Sequence, residues 1–559
     1  MNGADKKGPP GQKDFEVRVR SRRGWRRMGN ANLLVTNAKI YTARPTDPWA
    51  EAIACTDGRI VAIGATRDTE RSAGPKTKRL DAHGRLVLPG FIDAHTHLIW
   101  GFELGTWIDL TDWPSLGEVQ ERVARYAREH PDDAILIGHG FDYEALQAGS
   151  MPGKEALDAT VSDRPVLLTS WDGHTGWANS RFIRIAQRIA AERGRDVGEM
   201  QLDPATSEPT GVFTRTFDLT PLVPEVQARR SLDGLRRTVS EASRCGITTA
   251  FDVQVNREDV HAYADLRARG ELTVRMRIAL YHPEATDPSA YAGFEASKAG
   301  FQDDWIQVGA VKLYIDGVAE TGTAALLDPY TRNPSARGPA LYTFERFREI
   351  VAEFDRRGFQ ICTHACGDRG ARLALDAYEA AARANETSGR RHRIEHCELL
   401  APSDLPRFAQ LDVIPCMMPR HSAPELTARW RDAVGPDRAD AGFPWRELRD
   451  AGASLAFASD WPVAPMDPLL GIREATGRLS LRGGPSGHRI TMQEAVDAYT
   501  RQAAYACHAE STRGTLVVGK YADFIVLSDD IFTIRENRLA SARVIGTYVA
   551  GRSVYSEAG

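Results

Sequence analysis

A chain of 559 residues can bury a large core and hold more than one structural unit. With 71 Lys and Arg against 75 Asp and Glu, a formal charge of −4 and no apolar run long enough to span a bilayer, it offers neither the basic surface that nucleic acid requires nor a membrane span. Seven scattered cysteines, an odd number, argue against a disulfide framework and for the reducing cytoplasm.

Residues 1–30 stand apart, with nine basic side chains against Asp5, Asp14 and Glu16. They include Arg-Arg pairs but lack the apolar segment of an export signal, so they are expected to be a disordered basic tail. Leu33–Tyr41, Ala52–Cys55 and Arg59–Ile63 then read as short strands, with Asp57-Gly58 as a hairpin turn. The far end repeats this pattern at Phe524–Leu527, Val544–Val549 and Ser553–Tyr555. Short strands at both ends predict one small β-sandwich domain composed of residues 31–86 and 511–559.

Between them strands and helices alternate. Helical periodicity marks Leu116–His130, Glu225–Cys245, Phe344–Arg357, Gly370–Asn385 and Met492–His508. Strands are predicted at Ile135–Ile137, Val166–Thr169, Thr248–Val253, Thr273–Leu280, Gln307–Ile315, Gln360–His364, Arg393–His396, Val413–Met417 and Leu455–Ser459. This alternation predicts an α/β chain, a (β/α)8 TIM-like barrel over residues 87–510. A standard barrel takes about 250 residues, so an insertion is expected over about 101–235.

The stretch Leu88-Pro89-Gly90-Phe91-Ile92-Asp93-Ala94-His95-Thr96-His97 organises the rest. Alternate residues of an extended strand share a face, so His95 and His97 point the same way and can hold one metal ion. Active groups of such barrels sit at the C-terminal ends of strands. Reading those ends in order gives Lys312, Tyr314 and Asp316 on one face, then His364, then His396, then Asp460 after small residues. A lysine alternating within an apolar strand is costly without a partner or a task. Four imidazoles, a carboxylate and a lysine can build two adjacent sites for a borderline divalent metal.

These residues carry a resemblance. LPGFIDAHTH, DGHTGWANS, VKLYIDGVAETGTA, HACGDRG, RIEHCELL, ASDWPVAPMDPL and GKYADFIVL with its closing GRSVY resemble the amidohydrolase superfamily, in the branch of metal-dependent hydrolases that includes N-substituted formamide deformylase. The resemblance implies that His95, His97 and Asp460 bind one metal, that Lys312 bridges as a carbamate formed with CO2, and that His364 and His396 bind the second. The metals would be two zinc ions, or one. Cys366 and Cys397 flank two of these positions, Cys362 shares the strand face of His364, and all three are expected to be small buried residues. The Thr-Gly-Val-Phe-Thr-Arg stretch after Pro209 lacks the acidic residue that the resemblance would place nearby.

The implied chemistry is hydrolysis of a C–N bond in an amide, N-formyl, N-acyl or cyclic amide substrate by metal-activated hydroxide. Asp460 would carry the proton from water to the leaving nitrogen, and His174 or Tyr314 would help to stabilise the oxyanion. His174 sits in a Gly-punctuated loop suited to substrate contact. Trp100, Phe102, Trp107, Trp171, Trp177 and Trp461 near motif ends suggest an apolar or aromatic pocket, with Trp171, Trp461 and Tyr314 as substrate contacts. Ester, lactone or carbamate hydrolysis would use the same nucleophile, and single-metal deamination or a metal-bound ligand-binding protein are the further alternatives. The partner is a small molecule, with a homodimer as the oligomeric expectation.

Overall fold

The computed structural model describes residues 30–557 apart from 105, 112–114, 143–145, 147–150, 172, 195–198, 215–218, 228–229, 425 and 481–485. The basic segment up to residue 29 and Arg215 of the stretch after Pro209 lie outside the described residues.

Eight parallel strands form one sheet in sequence order: β1 (Phe91–Thr96), β2 (Ile247–Val255), β3 (Arg275–Tyr281), β4 (Ile306–Tyr314), β5 (Gln360–Ala365), β6 (Arg393–His396), β7 (Ile414–Met417) and β8 (Ala456–Phe457). β8 and β1 lie side by side, and their seam is closed by other bonds. Asp460 N–H donates to His95 O at 2.9 Å. Ser459 donates to Asp93 through its backbone N–H at 3.0 Å and its hydroxyl at 2.5 Å. Those bonds explain why β8 ends short of the predicted Ser459.

The inner face is lined mainly by small or compact residues, among them Ala94, Ala279, Ala310, Cys362, Cys416, Ala456 and Ala458. An eight-stranded barrel leaves just enough interior for side chains to fill. Outward-facing Met276, Ile278, Leu280, Val311, Leu313, Ile361 and Ile394 pack into the surrounding apolar core, which the helices share. In Phe344–Arg356 the Thr343 hydroxyl caps the first turn, Phe347, Ile350, Val351 and Phe354 form the buried stripe, and Gly358 at φ +76° turns the chain after the helix. The predicted helix Met492–His508 is two helices, Met492–Ala498 and Arg501–Ala506. The carbonyl of Tyr499 is drawn to the barrel, where it accepts the Ile92 N–H at 2.7 Å, and this breaks the helical ladder.

Residues between β1 and β2 carry a second, six-stranded sheet, in the order Met200–Leu202, Pro209–Phe213, Gly176–Ala178, Val166–Ser170, Leu136–Phe141, Ile108–Asp109. Separate apolar clusters containing Leu136, Leu168 and Trp177, and Ile137, Leu167 and Phe182, flank it. The helix predicted from Glu225 starts properly at Leu232, capped by Ser231.

The chain ends join in two further sheets. One holds Arg59–Gly64, Ala52–Thr56, Leu33–Thr36 and Lys78–Asp81; the other runs Arg552–Ser556, Val544–Val549, Phe524–Leu527, Leu86–Pro89, Lys39–Tyr41, Trp49–Ala50. The pairing of Phe524–Val526 with Val87–Pro89 splices the C-terminal strands onto N-terminal ones. Val35, Ile53, Val87, Phe524 and Val526 share their core. Asp57 and Gly58 have φ of +49° and +77°, the left-handed pair that a tight hairpin needs. No helix among the described residues is long and apolar enough to cross a membrane.

Candidate metal centre

His95 and His97 converge as their alternation predicts. Each Nε2 lies 3.1 Å from Asp460 Oδ1, and both rings are buried. The opposite nitrogen of His95, Nδ1, lies 2.6 Å from Glu395 Oε2. An ionised carboxylate can only accept, so Nδ1 carries a proton. Nε2, on the other side of the ring, faces Asp460 Oδ1. A neutral ring there sets one buried acceptor against another, an arrangement that a bound cation relieves.

Other unsatisfied atoms gather at the same place. His97 Nδ1, His396 Nε2 and Asp460 Oδ1 are buried without a hydrogen-bond partner among the described residues. Donor atoms of His95, His396 and Asp460 lie within 4.8 Å of one another, as do those of His364, Cys366 and His396. Burial lowers the pKa of His97 to about 4 and pushes His364 and His396 well below the usual imidazole range, which keeps these rings neutral. Burial opposes the charge on Asp460, but the surrounding His95, His97 and His396 more than offset it and hold the carboxyl well below its usual range. Neutral imidazoles and an ionised carboxylate are the metal-binding forms of these groups. The residues present therefore fit a divalent metal.

Lys312 is fully buried on β4, with Nζ 3.5 Å from His95 Nε2, and burial lowers its pKa. Three site residues and a neighbour adopt backbone conformations rare for side-chain-bearing residues: φ is +82° at Gln254, +73° at His396, +49° at Cys397 and +59° at Asp460. At His396 this turn reverses what strand alternation gives. Arg393 and Glu395 face the barrel interior, and His396 swings over its C-terminal mouth.

The pocket above these groups is lined by Tyr314, Trp171, His174 and Gln254 as well as by His97, Lys312, His364, His396 and Asp460. Tyr314 stacks on His364 at 4.8 Å between ring centroids and donates its hydroxyl to Gln254 Oε1 at 2.5 Å. Trp171 and His174 come from the inserted sheet, on a turn closed by Ser170 N–H to Thr175 O at 2.8 Å. Gly173 at φ +71° packs against the ring of Trp100 there. Trp461 is placed differently. Its backbone bonds His97 and Ser459, and its side chain packs against the core rather than lining the pocket, where Trp430 and Val463 stand. Trp177 is wholly buried in the inserted domain. Asp316 serves the loops: it accepts N–H bonds from Ala325, Cys366 and Gly367 at 2.8, 3.1 and 2.9 Å.

The sequence reading missed Glu395, Glu398 and His421. Arg393 fixes Glu395 through two nitrogens, at 2.8 and 2.9 Å, and reaches Ala94 O at 2.5 Å. Burial works against the Glu395 charge, but Arg393 and His95 hold it well below the usual carboxylate range. Glu398 accepts from Trp430 Nε1 at 2.8 Å, and His421 Nε2 stands 3.7 Å from Asp460 Oδ2. The end of β7, followed by Met-Pro-Arg-His, held the signal for His421. Cys366 is buried as expected, with its Sγ 3.5 Å from His364 Nε2; burial keeps the thiol protonated by pushing its pKa well up.

Comparisons with known proteins agree with this architecture. The chain is 30% identical to Protein LONG AFTER FAR-RED 3 of Arabidopsis thaliana over 543 residues, covering 94% of this chain and 92% of that one. It is 24% identical to N-substituted formamide deformylase of Arthrobacter pascens, over 94% of this chain and 99% of that one. Among solved structures, an uncharacterized metal-dependent hydrolase from Pyrococcus furiosus superposes with a TM-score of 0.69 at 25% identity, over 90% of this chain and 100% of that one. The model that describes the amidohydrolase family matches residues 78–555, from the composite β domain through the whole barrel and back, and the chain belongs to that family.

Proposed function

We propose that this protein is a metal-dependent hydrolase that cleaves a C–N bond in an amide, N-formyl or N-acyl substrate with an apolar or aromatic body. The observation that carries the reading is the convergence of His95 Nε2 and His97 Nε2 on Asp460 Oδ1, each 3.1 Å away in a buried site. The relatives named for deformylase and metal-dependent hydrolase activity support it.

His95, His97 and Asp460 would hold one divalent ion, and His364 and His396 a second, with zinc as the metal best suited to imidazole and carboxylate donors. When bound, such ions supply a Lewis acid and lower the pKa of water toward neutrality. Lys312 suits the bridging position as a carbamate. Burial favours its neutral amine, whose lone pair can add to CO2 with loss of a proton, turning a repelling cation into an oxygen donor.

The chain's own groups supply the rest. Asp460 accepts a proton from the attacking water and returns it to the leaving nitrogen, for which an ionised carboxylate at the pocket floor is suited. His174 and Tyr314 line the same pocket and would orient the carbonyl oxygen. Trp100, Trp171, Trp430 and Phe443 make most of the apolar wall. Trp100 and Gln254 also belong to an adjoining pocket with Leu104, Trp107 and Tyr281, so the site can take a substrate with an extended apolar arm.

Elemental analysis of protein prepared with bicarbonate tests the centre. About two metals per chain in the wild type, falling to one or none in Lys312→Ala, supports the bridged site. One metal in both gives Lys312 a structural or substrate-binding role. A screen of hydrophobic N-formyl and N-acyl amines tests the reaction. Turnover of esters or lactones without amides, or ammonia release from amino-substituted rings, would replace it with ester hydrolysis or deamination.

A further inference from the structure

At the other end of the barrel, around the N-terminal ends of β3 to β6, lies a cavity of about 260 Å³ that the reaction does not use. Its described lining contains Arg277, Lys298 and Arg390 and no carboxylate. Arg277 lies on β3 two residues before Ala279 and so shares its inward face. The residue is only 9% exposed, and its Nε has no hydrogen-bond partner among the described residues. A buried cation without a counter-charge is expensive and is ordinarily paired.

The surroundings deepen the excess of positive charge. Neighbouring Arg275 is neutralised by Asp523, at 2.9 Å. Arg513, also buried, donates only to uncharged acceptors: Thr249 and Thr512 hydroxyls and the Asp304 carbonyl. Lys298 enters the cavity with its ammonium on the carbonyls of Arg357 and Gly358, at 3.3 and 2.6 Å. Arg390 has one carboxylate contact, its Nε to Asp355 at 3.2 Å. Burial lowers the pKa of Arg277; Asp304 and Glu510 lie near enough to oppose the shift, but neither makes a hydrogen bond to the guanidinium among the described residues. Gln302 and Gln360 add amide groups to the same wall.

We propose that this cavity is a binding site for a small oxyanion, a carboxylate or a phosphate group, that pairs with the Arg277 guanidinium. The planar fork of arginine matches two oxygens of either group, and Lys298 supplies a second positive charge across the cavity. Gly309 marks the room available: a Cβ built there meets nothing within 4 Å. The site lies on the barrel floor, so a bound anion would act on stability or on a regulatory signal rather than on the reacting bond.

The test is isothermal titration of the metal-loaded full chain with inorganic phosphate and, separately, with acetate, at constant ionic strength set by chloride. The wild type should bind at least one of them saturably, and Arg277→Met should weaken that binding at least tenfold. Gly309→Leu, which fills the cavity and leaves every charge in place, should do the same and keeps the test alive if Arg277→Met does not fold. Anion uptake at the catalytic metals is common to all three proteins and cancels in the comparison. Binding of phosphate alone points to a phosphorylated ligand, and binding of acetate to a carboxylate. No saturable binding in the wild type, or a titration of either folded variant that superimposes on it, overturns the proposal.

Discussion

Glu395 Oε2 stands 2.6 Å from His95 Nδ1, a contact that ties β6 to β1 across a sequence separation of 300. This contact sets the tautomer of His95 and aims its other nitrogen at Asp460. Arg393 in turn holds Glu395 with two nitrogens. Carboxylates behind ligand histidines tune metal affinity by about 10- to 100-fold. Glu395→Gln should therefore weaken metal binding by about that factor, measured by competition with a chromophoric chelator. An unchanged affinity would show that packing alone orients His95.

Asp460 combines two tasks, ligand and proton carrier. Replacing it with Asn keeps an oxygen donor but removes the basic site. Asp460→Asn should retain metal and fold and lose about 10²- to 10⁴-fold in kcat. A metal-replete variant with wild-type turnover would remove Asp460 from proton transfer.

How far the sequence led depends on the physics at each position. The i, i+2 spacing of His95 and His97 is enough, because alternation in an extended strand brings both rings to one carboxylate. Lys312 is visible as a cation in an apolar strand. Arg277 carries the same signal on β3, yet its meaning emerges only when the neighbouring carboxylates are seen to be engaged elsewhere. His396 is legible by type but not by direction, since the turn at φ +73° undoes the strand period. Glu398 comes from a connection whose path no local pattern specifies, whereas His421 follows a strand end that could have pointed to it. Trp461 looks like a pocket residue because it follows Asp460, but the bonds of its backbone to His97 and Ser459 turn the ring to the core. The break at Tyr499 likewise depends on a carbonyl claimed by Ile92, a partner some 400 residues away.

Asp252 offers a pH test outside the metal centre. It accepts hydrogen bonds from Tyr263 and from Ile99 N–H, and burial raises its pKa from 3.8 to about 8. The folded chain keeps this carboxyl protonated where the unfolded chain ionises. Its contribution to stability is thus full below about pH 4 and is lost as the pH rises through about 8, with a slope of up to about 1.4 kcal/mol per pH unit. Asp252→Asn mimics the neutral acid, so its Tm should fall less steeply between about pH 5 and pH 8 than that of the wild type. Parallel Tm profiles would mean that Asp252 is already ionised in the fold.

The last prediction concerns how the two chain ends are fastened to the barrel. Arg275 on β3 and Asp523, just before the strand Phe524–Leu527, are 1% and 4% exposed and pair at 2.9 Å, with a second contact at 3.3 Å. Asp523 also accepts the Ala550 N–H at 2.7 Å, and Arg275 lies 4.0 Å over the Tyr521 ring. Removing one member of such a pair leaves the other buried and uncompensated, which costs about 3–5 kcal/mol. Asp523→Ala should lose about that much in a denaturant midpoint experiment. Because Arg513 and Arg277 crowd the same region with further positive charge, the loss should exceed that of Arg275→Met, which removes a cation from it. Equal losses in the two variants would show that packing, rather than charge, dominates this junction.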